Sequence, residues 1–371
     1  MLSRTPVALA LLCALIVGVA TPVEAQKATS DGLFIHDRIL PHEGIISQDR
    51  TGTCWSFATV SFLESEVARI TGKNVDLSEL YPVFHTYRAK SALYVKSKGK
   101  SRFSQGGLSH DVIAMIRDHG MLPQSAYTGL CKGDGRHDHS QLEAVLKGTL
   151  DIINKKRRPG NKWASLVDNI LSTYITQPPA TVKINGRTMT PREYADKVMK
   201  FPHADYVEVT SFSKMPMWDR AELVLPDNWM HDSNYINVPF EAIVETLDYA
   251  VDHGFSVAID MDVSEKGFQA RKGIATLTEK QRAAGPVTQA MRDAHFKDGR
   301  TNDDHLMHLV GRARDKNGKV FYMVKNSWGK VGPYKGVLYI SKDYMALKTL
   351  AIMVHKDGLA PVITKKMFPG S

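Results

Sequence analysis

Apolar residues recur with helical spacing in three stretches of the chain, and a glycine follows each stretch. A period near 3.6 residues places apolar side chains on one face of a helix, and glycine readily adopts the left-handed backbone that ends a helix. The pattern therefore predicts three amphipathic helices, with Ser109 as the cap of the second. They cover residues 54–71, 109–119 and 241–253.

After residue 254 the pattern changes to alternating apolar and polar positions that are rich in β-branched residues. A period of two predicts strands that present alternate side chains to a core. A helical first part and a strand-rich last part predict an α+β fold of two lobes, with a cleft that suits an extended peptide. The predicted strands cover residues 255–263, 306–313, 320–326, 336–341 and 350–355.

Residues 1–25 form a unit of their own. Arg4 precedes an uncharged, mostly apolar run that is too short to cross a bilayer, and Val23 and Ala25 provide small side chains near its end. This pattern predicts a cleaved signal peptide and a secreted or periplasmic protein with no membrane contact after cleavage. A retained membrane anchor is the alternative.

The remaining chain is predicted to contain a helical lobe over residues 26–131, a helical insertion over 132–235 and a β-rich lobe over 236–371. The insertion is charged and interrupted by Pro and Gly, so surface decoration is its simplest interpretation. The formal net charge of +9 is spread along the chain. Its densest basic cluster, residues 155–158, is interpreted as a solvated helix end, where cations suit the helix dipole. Nucleic acid is therefore not expected as a partner.

Residues 48–58, Gln-Asp-Arg-Thr-Gly-Thr-Cys-Trp-Ser-Phe-Ala, place Cys54 at the predicted start of a helix. The partial positive charge of a helix N-terminus favours a thiolate, and the Cys54 N–H with the Gln48 amide could stabilise an oxyanion. A lone cysteine is more often a buried small hydrophobe. With Cys13 removed in the signal peptide, a disulfide to Cys131 would consume the nucleophile, so two free thiols are predicted.

A histidine and an asparagine far downstream complete the set of groups that a cysteine nucleophile needs. His305 can take the thiol proton, and Asn326 can orient the imidazole through its second nitrogen. Trp328 can cover the bond between them and keep water from competing for it. His308 is three residues from His305 and is predicted to face the other side of the strand, in a structural or exposed position.

These motifs, in this order, resemble those of the papain-like cysteine peptidases, and among them the bleomycin hydrolase and aminopeptidase C branch. The resemblance implies a papain-like two-lobe fold, a glycine pair at Gly106 and Gly107 that substrate backbone can approach, and no metal or organic cofactor. It also implies that residues 132–235 form the hook through which relatives assemble as hexamers, so a homo-oligomer is expected. The matching residues are Gln48, Cys54 to Ala58, Asp304-His305 and Asn326 to Gly329.

The predicted function is peptide hydrolysis through a thioester acyl-enzyme, starting from a thiolate–imidazolium pair of Cys54 and His305. The resemblance implies an aminopeptidase, because a C-terminal arm of that branch lies in the cleft and meets the substrate amino group. The tail here, residues 363–371, is shorter than that arm, so an exported endopeptidase is the alternative. A non-catalytic scaffold that binds peptide or nucleic acid is the alternative from a different class.

Overall fold

The computed structural model describes residues 32–156 and 159–370, so the predicted signal peptide lies outside the described residues. The described helices are α1 (Cys54–Thr71), α2 (Leu80–Lys96), α3 (Ser109–His119), α4 (Ser140–Asn154), α5 (Lys162–Ile175), α6 (Pro191–Tyr194), α7 (Phe240–His253), α8 (Glu279–Ala283), α9 (Gln289–Lys297), α10 (Lys342–Lys348) and α11 (Pro361–Met367). The described strands are β1 (Phe34–Ile39), β2 (Val182–Ile184), β3 (Arg187–Met189), β4 (Tyr206–Thr210), β5 (Asp219–Ala221), β6 (Tyr235–Asn237), β7 (Val257–Met261), β8 (Phe268–Gln269), β9 (Ile274–Ala275), β10 (His305–Asp315), β11 (Val320–Lys325), β12 (Val337–Ser341) and β13 (Thr349–His355). Each helix in these ranges is too short or too polar to cross a membrane.

The predicted α+β fold is confirmed. One mostly antiparallel sheet has the order β5-β6-β4-β13-β7-β10-β11-β12-β9-β8, and β1 pairs with β10 beside this path. Strand β10 lies between β7 and β11, and α1 packs against it. His305 begins β10 and Asn326 directly follows β11, so the sheet brings both residues near the start of α1.

The three predicted helices are present as α1, α3 and α7. Gly72 ends α1 with a left-handed φ of 69°, in agreement with its predicted role. The start of α3 differs from the prediction, because Ser109 is its first residue and Leu108 occupies the cap position. Leu108 has no polar side chain, and its N–H is satisfied instead by the Asp111 carboxylate at 2.8 Å. Asp111 thus satisfies the N–H of the cap residue, and no side chain of a described residue caps the N–H groups of the first turn.

The predicted insertion, residues 132–235, is not a separate helical unit. Its first part is helical, and α4 and α5 pack on α2, where Leu146 and Leu171 join the core of the helical lobe. Its last part belongs to the sheet, because β4 pairs with β13, β6 pairs with β4, and β5 pairs with β6. The last strands of this range thus pair with the sheet of the β-rich lobe, while the boundary at residue 235 stays a prediction. Only pairing with β13, far away in the chain, gives the short segment 206–210 its place in the sheet.

Candidate active site

Cys54 is the first residue of α1, and its side chain is partly exposed. The first N–H groups of a helix have no acceptor within the helix, so the Cys54 N–H can donate to a ligand. Neighbouring side chains hold this helix start in place. The Trp55 indole Nε1 donates to the Gln105 carbonyl at 2.9 Å, and the Ser56 hydroxyl donates to the Glu79 carbonyl at 2.6 Å.

His305 and Asn326 are hydrogen-bonded at the start of β10 and the end of β11. His305 Nε2 lies 2.7 Å from Asn326 Oδ1, and the Ser327 N–H also donates to that oxygen at 2.7 Å. Because Asn326 Oδ1 is an acceptor, we assign the ring hydrogen of His305 to Nε2. Nδ1 therefore has a free lone pair that can accept a proton, which is the arrangement that the sequence predicts.

Trp328 lies over the histidine ring. The two ring centroids are 4.7 Å apart with an interplanar angle of 35°, and 37% of Trp328 is exposed. A side chain this exposed is not part of a core. Its position instead covers His305 from solvent, which protects the bond to Asn326 from competing water.

Gln48 is buried at the edge of the same site and is held through both ends of its amide. Its Oε1 accepts from the Ser327 hydroxyl at 2.6 Å, and its Nε2 donates to the Thr51 carbonyl at 2.6 Å. A side-chain amide carries two hydrogens on nitrogen. One hydrogen therefore remains for an oxyanion in the cavity that Gln48 lines.

A cavity of 240 Å³ brings most of the predicted site residues together. Asn326 and Trp328 lie behind His305 and are not part of its wall. Asp227 and Asp303 also line the cavity, and the sequence analysis gave neither a role. Asp227 is far from every motif along the chain, whereas Asp303 could have been noticed from its position beside Asp304-His305. The lining residues are Gln48, Gly52, Cys54, Gly106, Gly107, Asp227, Asp303, Asp304, His305 and Leu306.

A side chain at either position of the predicted substrate-binding pair would have to displace a neighbouring side chain. A Cβ at Gly106 would lie 1.9 Å from an Asp227 carboxylate oxygen, and a Cβ at Gly107 would lie 2.7 Å from an Asp111 oxygen. Real Cβ atoms do not approach other atoms this closely. The structure thus gives these glycines a packing role, while their contact with substrate backbone stays a prediction.

The protonation of Cys54 and His305 differs from the predicted ion pair. Burial raises the pKa of the Cys54 thiol to about 12, and the nearby carboxylates add to that rise while a backbone hydrogen bond from Leu306 opposes it. Burial lowers the pKa of His305 to about 4, although the hydrogen bond to Asn326 acts in the other direction. At neutral pH the unliganded site therefore contains a thiol and a neutral imidazole.

The predicted oxyanion role of Gln48 leads to a kinetic prediction. Gln48→Ala should lower kcat roughly 10- to 1000-fold, because one donor to the developing oxyanion is lost. KM should change much less, since the donor acts mainly in the transition state. Steady-state kinetics on a fluorogenic peptide would measure both. Gln141→Ala, an exposed substitution on α4, is the matched control, and equal kinetics for the two variants would exclude the oxyanion role.

Two further sequence predictions concern His308 and Cys131. His308 is fully buried rather than exposed, and its Nδ1 lies 2.9 Å from the Ser61 hydroxyl on α1. It is therefore a structural residue of the contact between α1 and β10. Cys131 is a free, partly exposed thiol that donates to the Thr173 carbonyl at 3.3 Å, outside the residues that line the 240 Å³ cavity.

The sequence is similar to a described family and to several bacterial proteins. A family model described as "Peptidase C1-like family" matches residues 181–368. Aminopeptidase G of Lactobacillus delbrueckii subsp. lactis is 22% identical over 363 residues, which cover 86% of this chain and 82% of that protein. Aminopeptidase C of Lactococcus lactis subsp. lactis is 22% identical over 390 residues, with 92% and 87% covered. Aminopeptidase E of Lactobacillus helveticus is 23% identical over 367 residues, with 86% and 82% covered.

The fold is also similar to a solved structure. The crystal structure of PepW from Lactobacillus rhamnosis has a TM-score of 0.69 to this chain at 16% sequence identity. The match covers 90% of this chain and 85% of that chain. The agreement therefore extends over both lobes, including the strands and helices that carry the cavity.

Proposed function

The chain belongs to the peptidase C1-like family and is a cysteine-type peptidase, and from this premise we propose that it hydrolyses peptide bonds through Cys54, His305 and Asn326. The observation that carries the proposal is the arrangement around one cavity of a thiol at a helix start and an imidazole hydrogen-bonded to a side-chain amide at 2.7 Å. A non-catalytic scaffold would have no need of this complete set.

The proposed reaction starts from a neutral thiol and a neutral imidazole. His305 Nδ1 takes the Cys54 proton as the sulfur attacks the scissile carbonyl, and Gln48 with the Cys54 N–H stabilises the oxyanion. The C–N bond then breaks as the imidazolium protonates the leaving amine, which leaves a thioester on Cys54. His305 next deprotonates a water molecule, whose attack releases the carboxylic acid and restores the thiol.

We propose an aminopeptidase as the first candidate, because the three named relatives are aminopeptidases and align over most of their length. An endopeptidase is the second candidate, and the position of the tail favours it. Ile363 in α11 is buried in the core of the β lobe, and Lys366 Nζ lies 3.8 Å from the centroid of the Trp218 ring. The described tail residues contribute nothing to the wall of the cavity.

A comparison of free and blocked substrates tests this proposal. In reducing buffer, kcat/KM for leucyl-aminomethylcoumarin should exceed that for its acetylated form by at least about tenfold. This is the effect expected when acetylation removes one hydrogen bond from a charged amino group. Equal cleavage of both forms, together with cleavage inside longer blocked peptides, would establish the endopeptidase instead. Absence of turnover on free and blocked peptides alike would contradict the peptidase proposal itself.

Assembly and location stay predictions. We propose a homohexamer that is exported by a cleaved signal peptide, on the basis of the resemblance of residues 132–235 to a hook region and the pattern of residues 1–25. Light scattering of the purified protein and N-terminal sequencing of the protein from its source would test the two proposals separately.

A further inference from the structure

The catalytic cavity contains more carboxylates than the proposed reaction uses. Asp227 and Asp303 line it together with Cys54 and His305, and no step of the hydrolysis requires a carboxylate. The two aspartates are direct neighbours, because the Asp227 N–H donates to the Asp303 carboxylate. Asp227 also lies against the Cα of Gly106, which has no room for a side chain on that side.

A third carboxylate lies behind the cavity wall. Asp260 on β7 is only 4% exposed and pairs in register with Leu306, which lines the cavity. Burial, and then the charges of Asp303 and Asp227, raise the pKa of Asp260 well above its usual range, so this carboxyl group is neutral at pH 7. Among the described residues, neither carboxylate oxygen of Asp260 has a hydrogen-bond partner, and Asp303 Oδ2 has none either. A neutral Asp260 needs no cation, whereas Asp303 Oδ2 is a buried carboxylate oxygen without a donor in the described part of the chain, which is costly unless a ligand supplies one.

Nearby cations do not meet this requirement. Arg102 Nε lies 3.5 Å from Asp227 Oδ1, and its side chain is 55% exposed at the rim. Lys90 donates to the Ser104 carbonyl at 3.0 Å and also to the Gly106 carbonyl, and so faces the outside of the glycine pair. Asp303 and Asp260 form no ion pair within 4.0 Å among the described residues. The carboxylates of Asp227 and Asp303 therefore line the cavity without a buried cation from the described residues, and its N–H donors at Gln48 and Cys54 are those assigned to the oxyanion.

We propose that Asp227 and Asp303 bind a primary ammonium group of the substrate, an inference that rests on the proposed peptidase function. An ammonium group carries three N–H donors and a positive charge, which match the unpaired carboxylate oxygens. The ammonium can belong to a free N-terminus or to a lysine side chain. Binding of a free N-terminus beside Gly106 would make the enzyme an aminopeptidase without any arm in the cleft.

Asp227→Asn and Asp303→Asn test the proposal, since asparagine keeps the size of the side chain and removes its charge. The substrates are leucyl- and acetyl-leucyl-aminomethylcoumarin, and acetyl-lysyl-leucyl- and acetyl-norleucyl-leucyl-aminomethylcoumarin. If the α-ammonium binds, KM for the free leucyl substrate should rise about 10- to 100-fold in both variants, with the blocked substrates unaffected. If the lysine side chain binds, only the preference for lysine over norleucine should be lost.

Asp357→Asn is the matched control, because the Asp357 side chain is 66% exposed and lies outside the cavity. The proposal would be overturned if both cavity variants kept two wild-type properties. These are the ratio of KM between the free and blocked leucyl substrates and the preference for lysine over norleucine. That result would leave the peptidase function intact, since Cys54-dependent turnover would persist. Failure of the wild type to cleave any of the four substrates would instead contradict the peptidase function.

A pH profile of the wild type provides a second measurement if a variant does not fold. Burial and the charge of Asp227 raise the pKa of Asp303 to about 7, while the hydrogen bond from the Asp227 N–H and the charge of Arg102 oppose the rise. The carboxylate loses its charge as the pH falls through this value, so KM for the ammonium substrate should rise below about pH 7 relative to the blocked substrate. Above about pH 8 an α-amino group itself loses its proton, and KM should rise again. If the ratio of KM for the ammonium substrate to KM for the blocked substrate stayed constant from about pH 5 to pH 8, the proposal would be overturned.

Discussion

Replacing Cys54 by alanine is expected to abolish peptide turnover, with a fall in kcat of roughly a million-fold, the size seen when a hydrolase loses its nucleophile. Cys54 is the only thiol among the residues that line the cavity, and the thioester intermediate cannot form without it. Steady-state and burst-phase kinetics with a fluorogenic peptide would measure the loss. Remaining activity near the wild-type level would remove Cys54 from the proposed mechanism.

Cys131→Ala is the matched control for this prediction. Cys131 lies beside Thr173, among residues that do not line the catalytic cavity, so its removal should leave most of the activity. An epoxide should label the Cys131→Ala protein far faster than the Cys54→Ala protein, because His305 can take the Cys54 proton as the sulfur attacks. Equal labelling of the two variants would show that position in the cavity does not determine reactivity.

Replacing His305 by alanine should lower kcat by roughly ten thousand-fold, because the general base and acid of both half-reactions is lost. The loss should appear in kcat more than in KM, since the imidazole acts on protons and not on substrate binding. In the wild type, the lowered pKa of His305, about 4, keeps the base neutral above that value. Turnover of a blocked peptide should therefore fall only as the pH drops through about 4, when His305 gains a proton.

His308→Ala distinguishes a catalytic from a structural histidine on the same strand. His308 is fully buried against α1, where its ring meets Phe62 edge-on and bonds to Ser61. Its removal should lower the free energy of unfolding by about 2 to 4 kcal/mol, the cost of a buried cavity. At temperatures where the variant is folded, kcat should stay near the wild-type value. A folded but inactive His308→Ala protein, with an active His305→Ala protein, would contradict the proposed site.

Local patterns predicted much of the fold, although helices α2, α4 and α5 were not predicted individually and the short strands β4 to β6 were missed. Helices α1, α3 and α7 and the long strands β7 and β10 to β13 have a repeating apolar pattern that is visible within each segment. The short strands β4 to β6 do not, because three to five residues are too few for a period. Their place in the sheet depends on pairing with β13, more than a hundred residues later in the chain.

The candidate site also has one part that the sequence predicts and another that depends on the folded structure. Cys54, His305 and Asn326 could be recognised along the chain because each is embedded in its own motif, and the alternation along β10 separates His305 from His308. The protonation of these groups could not be predicted, because burial in the folded protein raises the pKa of the thiol and lowers that of the imidazole. The helix start alone predicts the opposite shift for Cys54.

The sequence by itself therefore determined the class of fold and predicted the nucleophile and its partners, since these depend on residue type and on local periodicity. Only the tertiary structure decided what surrounds them. Asp227 reaches the cavity from a loop with no motif, and Asp260 meets it from behind through the pairing of β7 with β10. Charge and burial are properties of neighbours in space, and residues far apart in the chain become neighbours only when it folds.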